Sequence, residues 1–201
     1  DARSHVAHFH AMLRTVRAAQ VAAAARLPPG VRLEVLANAS DGLGASYGAH
    51  LDLLTTRDAF EDIFRQRSHY LAWLASFQVS AMVVSGQGKV GTERRAAPVD
   101  YQISQRADFF DRLTSMDTMA QRGIVNQRDE PLCGPDTPLA RLHVICFDPM
   151  LCHVARYVTV GTMQIAVAMI EAGDVDPSLL LDAPIEALAL WSRDPALRAT
   201  A

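Results

Sequence analysis

Four polar side chains in this sequence stand where charge or an imidazole is costly. His50 closes a glycine-rich stretch, N-A-S-D-G-L-G-A-S-Y-G-A-H (38–50). Arg106 lies in S-Q-R-A-D, Arg128 in N-Q-R-D-E-P, and His143 inside the apolar run R-L-H-V-I-C-F. Each sits at or near the end of an apolar segment, and taking such a group out of water is unfavourable unless something pairs with it. Arginine keeps its charge and grips phosphate oxygens through parallel N–H bonds. Neutral imidazole binds metals. Two of each on one sheet face would make a site for phosphates and a metal. Magnesium prefers oxygen ligands, so carboxylates would have to complete such a site. Taken singly, each residue has an ordinary explanation. A strand histidine is usually hydrogen-bonded in a core, and Arg106 and Arg128 have neighbouring acids (Asp108, Asp129, Glu130) for ion pairs.

Other candidates are weaker. His5 and His8 lie about one helical turn apart, with His10 nearby, but have no fixed metal partner. Cys146, Cys152 and His153 do not follow a zinc spacing, and both cysteines read as small core residues. G-Q-G-K-V-G (86–91) is neither a P-loop nor a dinucleotide fingerprint, and Lys89 reads as an exposed turn lysine. No serine or cysteine is paired with a histidine at a recognisable nucleophile spacing.

These residues need elements to hold them. Residues 5–26 carry Val6, Phe9, Leu13 and Val16 at helical spacing, and Pro28, Pro29 and Gly30 stop that helix. Val31–Leu36 alternates like a strand. A glycine-rich turn and a second apolar segment follow. Thr56 or Asp58 can cap a helix through Phe60, Ile63 and Phe64 to the Tyr70–Trp73 region. Strands are expected at Gln78–Val84, at Val99–Ile103, around Ile124 and Val125, and at Leu142–Phe147, with a hairpin-like turn over 85–91. A long apolar helix spans Met150–Glu171, interrupted by Gly161 and closed by Gly173, and a last helix lies near Pro184–Trp191. The pattern predicts an α+β fold with a mainly antiparallel sheet packed by helices.

The 201 residues suit one domain or a large part of one, and half are hydrophobic, enough for a sizeable core. A net charge of −3 gives no basic field for nucleic acid. Three cysteines without a CxxC argue against a disulfide framework and for a reducing cytoplasm. The longest uncharged apolar run of the last third, Tyr157–Ile170, falls short of the ~20 residues of a membrane helix, so no membrane partner is expected. The chain starts at Asp1 rather than Met, which suggests a partial chain.

Five blocks occur in order: N-A-S-D-G-L-G-A-S-Y-G-A-H (38–50), S-G-Q-G-K-V-G (85–91), I-S-Q-R-A-D-F-F (103–110), I-V-N-Q-R-D-E-P (124–131) and R-L-H-V-I (141–145). Each alone is modest, but together they resemble the Pup ligase/depupylase family (PafA and Dop) over residues 3–198. The turn at 85–91, the paired phenylalanines after S-Q-R-A-D and the ending L-A-L-W-S-R-D-P-A-L-R resemble the Dop branch more closely.

The resemblance implies that the sheet is curved and belongs to a glutamine-synthetase-like carboxylate-amine ligase fold, of which residues 1–201 would form the central part of one catalytic domain, without the N-terminal strands and the C-terminal domain. It implies ATP (or ADP plus phosphate) and Mg as cofactors, and Pup or a Pup-like protein and its conjugates as partners. It also implies an amidase or isopeptidase activity whose catalytic aspartate lies outside this chain. It places Arg106, Arg128 and Asn38 at the nucleotide, and His50 and His143 at the metal. It suggests that the glycines of the first block let the backbone approach a ligand. The family pattern is departed from at Ala39, at Leu51-Asp52-Leu53, at Leu132 and at Phe147-Asp148-Pro149-Met150. Two alternatives stay open: a Pup-ligase-like enzyme joining a carboxylate to an amine, and a non-catalytic homologue binding nucleotide or protein. The oligomeric state is not assigned.

Overall fold

The computed structural model describes residues 1–94, 96–129 and 137–200. Glu130, Leu132 and Cys133 lie outside the described residues. The first helix, α1 (Ala2–Ala24), begins where the Asp1 carboxylate accepts the Ser4 amide at 2.8 Å. Its alanine-rich second half favours helix. The alternating segment Val31–Leu36 forms no strand; Val31, Val35 and Leu36 are exposed. Alternation makes a strand only when a neighbour takes up the backbone N–H and C=O groups. Here the segment pairs with none of the described strands, and Leu33 O instead accepts Gln20 Nε2 at 2.7 Å.

The main sheet contains β1 (Leu51–Thr56), β4 (Phe110–Ser115), β5 (Arg122–Asn126) and β6 (Leu139–Val144), in the order β1-β6-β5-β4. β1 and β6 run antiparallel, placing Asp52 opposite His143, and β5 joins β6 antiparallel with Asn126 opposite the same histidine. β4 and β5 are parallel, the one departure from the antiparallel expectation among the described pairings. The link between them is tightened by Asp117, which accepts the amides of Met119 (2.7 Å), Ala120 (3.2 Å) and Gln121 (3.2 Å). A small second sheet pairs β2 (Lys89–Val90) with β3 (Tyr101–Gln102), so part of the turn expected over 85–91 is itself a strand, and the strand expected at Val99–Ile103 is cut to two residues.

Thr56 caps α2 (Arg57–Glu61), its hydroxyl accepting the Ala59 amide at 3.3 Å. A π-helical turn, Asp62–Gln66, leads into α3 (Ser68–Ser85). α3 absorbs Gln78–Val84, which the sequence reading made a strand. A helix buried around most of its girth shows no amphipathic period, and its valines then mimic a strand. α4 (His153–Ala172) runs unbroken through Gly161, where a side-chain Cβ would make only an ordinary contact with Ala2 of α1, at 3.6 Å. It ends at Gly173, which takes the left-handed φ of 73° that favours glycine. α5 (Pro184–Ser192) follows. The core joins Tyr70, Leu74 and Val79 of α3, Ile124 and Leu142 of the sheet, Met163 and Ile170 of α4, and Leu188 of α5. Among the described residues no helix is long and apolar enough to cross a membrane.

Gly123 shows how closely β4 and β5 approach. A Cβ there would stand 2.5 Å from the Thr114 carbonyl carbon and 2.6 Å from its Cα, both backbone atoms that cannot rotate away. Gly123→Ala is therefore expected to destabilise the protein by about 1–3 kcal/mol, as overpacking does. Urea denaturation measures this, and an unchanged midpoint would contradict the close approach.

Candidate functional site

The register of β1 against β6 brings His50 and His143 together. Their rings meet edge to face with centroids 4.8 Å apart. Gly48 makes room for this: a Cβ on it would lie 2.5 Å from His50 Nε2. His143 is buried, and its Nδ1 lies 2.6 Å from Asp52 Oδ1 on the facing strand. An ionised carboxylate can only accept, so Nδ1 carries a proton, and Nε2 holds a lone pair in the neutral ring. Arg141 Nη1 lies 3.5 Å from the same Asp52 oxygen. Partial burial, then the neighbouring His143 and Arg106, press the His50 pKa below its usual value.

Arg106 lies behind this pair and is 1 % exposed. Its Nη1 donates to the carbonyls of Ile145 and Phe147, and its Nε to Ser46 Oγ at 3.2 Å. The guanidinium also lies over the Phe110 ring, 5.3 Å from its centroid. Burial, and then Arg122 nearby, lower its pKa to about 10, so it stays charged at neutral pH. Its acid neighbour in sequence, Asp108, is engaged elsewhere. The charge nearest in kind is Asp148, whose carboxylate accepts the amides of Gln87 (2.8 Å) and Gln105 (2.9 Å) and the hydroxyl of Ser104 (3.0 Å). Burial pushes the Asp148 pKa up against those bonds.

Arg128 and Asn38 are placed differently. Arg128 lines a cavity of about 340 Å³ with Arg57, Phe60, Phe64, Arg65 and Asp129, apart from the histidine pair. Its backbone amide donates to Asn126 Oδ1 at 2.9 Å. Asp129, expected beside Arg128, forms an ion pair with Arg57 and accepts the Arg141 amide at 3.0 Å. Asn38 is exposed and turns its side chain onto the Ser40 amide at 2.8 Å. The glycine loop it opens does approach a carboxylate, but one of the chain's own. Gly44 N donates to Glu93 Oε1 at 2.9 Å and Ser40 Oγ to Glu93 Oε2.

His50 also lines a cavity of about 370 Å³ with Phe9, Asp148, Met150 and Arg156. Arg156 there stacks on Phe9 at 3.4 Å and reaches His5 Nε2 at 3.1 Å, so His5 ties α1 to α4. Two readings need correction. Lys89 is not an exposed turn lysine: its side chain is 8 % exposed, and its Nζ lies 3.0 Å from Glu93 and 2.8 Å from Asp108. Cys152 is not a core residue but an exposed one at the start of α4, whereas Cys146 is buried. Asp52, Glu93 and Asp148 were missed as organising residues. Only the apolar neighbours of Asp52 and Asp148 could have signalled that their charges need partners.

The family described as Pup-ligase protein matches residues 1–201. The chain belongs to the Pup-ligase protein family. It is 38% identical over 176 residues to the Pup deamidase/depupylase of Mycolicibacterium smegmatis, covering 88% of this chain and 34% of that protein. It is 38% identical over 176 residues to the depupylase of Acidothermus cellulolyticus, covering 87% of this chain and 33% of that protein. It is 35% identical over 198 residues to the Pup–protein ligase of Acidimicrobium ferrooxidans, covering 97% and 42%. The chain thus spans about a third of the length of the depupylases it matches. Its fold matches the solved structure of the Pup ligase PafA in complex with ADP, with a TM-score of 0.69 at 27% identity over 94% of this chain and 40% of that one. The glutamine-synthetase-like, mixed helix-and-sheet expectation agrees with that match.

Family membership raises the question of magnesium. Among the described residues no group of three or more His, Cys, Asp or Glu side chains is placed to hold a metal ion. Asp52 is engaged by His143 and Arg141, and two imidazoles are not the oxygen set that magnesium takes. These residues alone therefore do not fit the ion.

The site yields two expectations. Asp52→Ala removes the acceptor that fixes the His143 tautomer, so ¹⁵N shifts of its ring should move from a single Nδ1–H form to a mixture. An unchanged spectrum would mean that Asp52 does not set it. Asp148 has a raised folded pKa, so its contribution to stability is greatest below the unfolded value of about 3.9 and is lost as pH rises through the folded pKa. Asp148→Asn carries no such charge. The stability gap between variant and parent in urea should therefore shift in the variant's favour as pH rises from about 4. Parallel pH curves would contradict this.

Proposed function

We propose that the intact protein is a Dop-like, ATP- and Mg-dependent amidase or isopeptidase acting on Pup or a Pup-like tag and its conjugates. Residues 1–201 form the central part of its catalytic domain, and the protein works in the cytoplasm. The observation that carries this is the match to four proteins named as depupylases or deamidases at 36–38% identity, beside four named as ligases at 33–35%. The neighbouring PafA structures, one in complex with ADP and one with Pup, support a nucleotide and a protein tag as ligands.

Each residue has a part in this reading. Arg128, in a cavity lined also by Arg57, Arg65, Phe60 and Phe64, offers fixed positive charge to phosphate oxygens. Arg106 spends Nε and Nη1 on protein acceptors and would offer an anion only its Nη2 edge. Asn38 shapes the entry to the glycine loop. The His143 Nε2 lone pair, fixed by Asp52, and the His50 ring face the reacting centre, and any metal there takes its oxygen ligands from outside these residues. The nucleophilic or water-activating aspartate also lies outside them.

A ligase reading is favoured by the 97% coverage of this chain in the Acidimicrobium protein. A non-catalytic reading is favoured by Leu51-Asp52-Leu53, where the family pattern is lost. Incubating the full-length protein with ATP, magnesium and Pup conjugates should release free substrate and Pup, seen as a fall in mass. ADP release coupled to conjugation would favour the ligase, and neither reaction the non-catalytic homologue. Arg128→Ala in the full-length protein should weaken ATP binding; unchanged affinity would remove Arg128 from the phosphate site.

A further inference from the structure

The loop that delivers His50 is held by a carboxylate far away in sequence. The loop doubles back on itself, with Asp41 N donating to Ala45 O at 3.1 Å and Tyr47 N to Ala39 O at 3.0 Å, around Gly42 and Gly44, which have φ of 72° and 105°. Glu93 fills its inner side. One carboxylate oxygen accepts Gly44 N at 2.9 Å; the other accepts Ser40 Oγ, and Ser40 Oγ in turn accepts Gly42 N at 3.0 Å. Glu93 is itself immobilised. Lys89 Nζ stands 3.0 Å from it, and the Glu93 amide donates to Asp108 Oδ2 at 2.9 Å. Asp108, whose side chain is fully buried, also takes Lys89 Nζ at 2.8 Å, Gln102 Nε2 at 2.8 Å and Arg193 Nη2 at 2.7 Å. Beyond the clamp, Ser46 meets Ser40 in a β-bridge, accepts Arg106 Nε on its hydroxyl and Arg122 Nη2 on its carbonyl at 3.2 Å, and is followed by Gly48 and His50.

We propose that Glu93 is a positioning residue: by clamping the loop at Ser40 and Gly44 it sets Ser46 onto Arg106 and fixes the His50 ring against His143. The clamp is a matter of conformation, and its link to catalysis rests on the function proposed above. A flexible loop would have to order itself before His50 could act, and a carboxylate that takes two donors on opposite sides of the turn removes that freedom beforehand. Burial by itself pushes the Glu93 pKa up. The bonds from Ser40, Lys89 and Gly44 outweigh this and hold it below the usual value, so the clamp is charged at neutral pH.

The test uses the full-length protein and two variants. Glu93→Gln keeps the shape but lacks one acceptor, whereas Ser40→Ala leaves Glu93 with Lys89 and cuts only the loop side. The first readout is the His50 ring in ¹H–¹³C spectra without substrate, assigned by its loss in His50→Gln. In both variants, with thermal unfolding close to the parent, the His50 signal should shift and broaden. Should Glu93→Gln fail to fold, Ser40→Ala decides alone. The second readout is turnover of Pup conjugates, where kcat should fall on the order of tenfold to a hundredfold with KM little changed, as misplacing a group by about 1 Å does. An unchanged His50 signal in a folded variant overturns the clamp. A shifted signal with unchanged turnover upholds the clamp and instead overturns the role given to His50. A parent protein without turnover removes the functional reading while the spectra still decide the clamp.

Discussion

The carboxylate of Asp148 is taken almost entirely out of water and spent on the chain itself. An isolated buried charge of this kind is costly. Here two backbone amides and a hydroxyl compensate it, and the charge of Arg106 lies close by. The three donors come from Gln87, Ser104 and Gln105, so the turn after α3 and the segment entering β4 are both tied to the chain that leaves β6. Arg106 completes the junction by donating to Ile145 and Phe147, carbonyls just past the end of the β6 ladder. Losing that junction would free the segment on which Arg106 sits, and with it the floor under the histidine pair.

Asp108 is a second hub of a different kind. Asp148 is compensated chiefly by neutral dipoles, Asp108 by the cations Lys89 and Arg193. Such buried polar networks add little net stability, because desolvation offsets much of the attraction. What they can supply is a single arrangement of loops that apolar contacts alone would leave ambiguous. The division of labour is visible in the chain. α3, α4 and α5 supply the apolar mass of the core, while the loops between strands are fixed one bond at a time.

The elements were legible where their local chemistry was complete. The Thr56 cap, the Gly173 stop and the apolar strands around Ile124 and Leu142 all carry their own signals, and the structure follows them. Reading failed where the deciding partner lies far away in sequence. Val31–Leu36 alternates correctly but has no strand beside it, and Gln78–Val84 looks extended only because its helix is buried around most of its girth. The site behaved likewise. The facing of His50 and His143 depends on the β1–β6 register, and the Asp52 partner on the same register. Nothing near Arg106 in sequence announces that it will bind the carbonyls of Ile145 and Phe147. Its permanent charge suggested phosphate; its burial shows a guanidinium already bonded to protein.

The Lys89 ammonium, closed between Glu93 and Asp108, has a bearing on the chemistry of the chain as a target. Residues 1–201 contain many arginines but a single lysine, and it is this one. Its side chain is 8 % exposed, and its amine is enclosed by two carboxylates at 3.0 and 2.8 Å, which leaves an incoming reagent little access to it. This stretch thus presents no exposed lysine side chain to which a protein tag or an acylating reagent can be joined. If the intact protein works on lysine-linked tags, this part of it is poorly suited to becoming its own substrate.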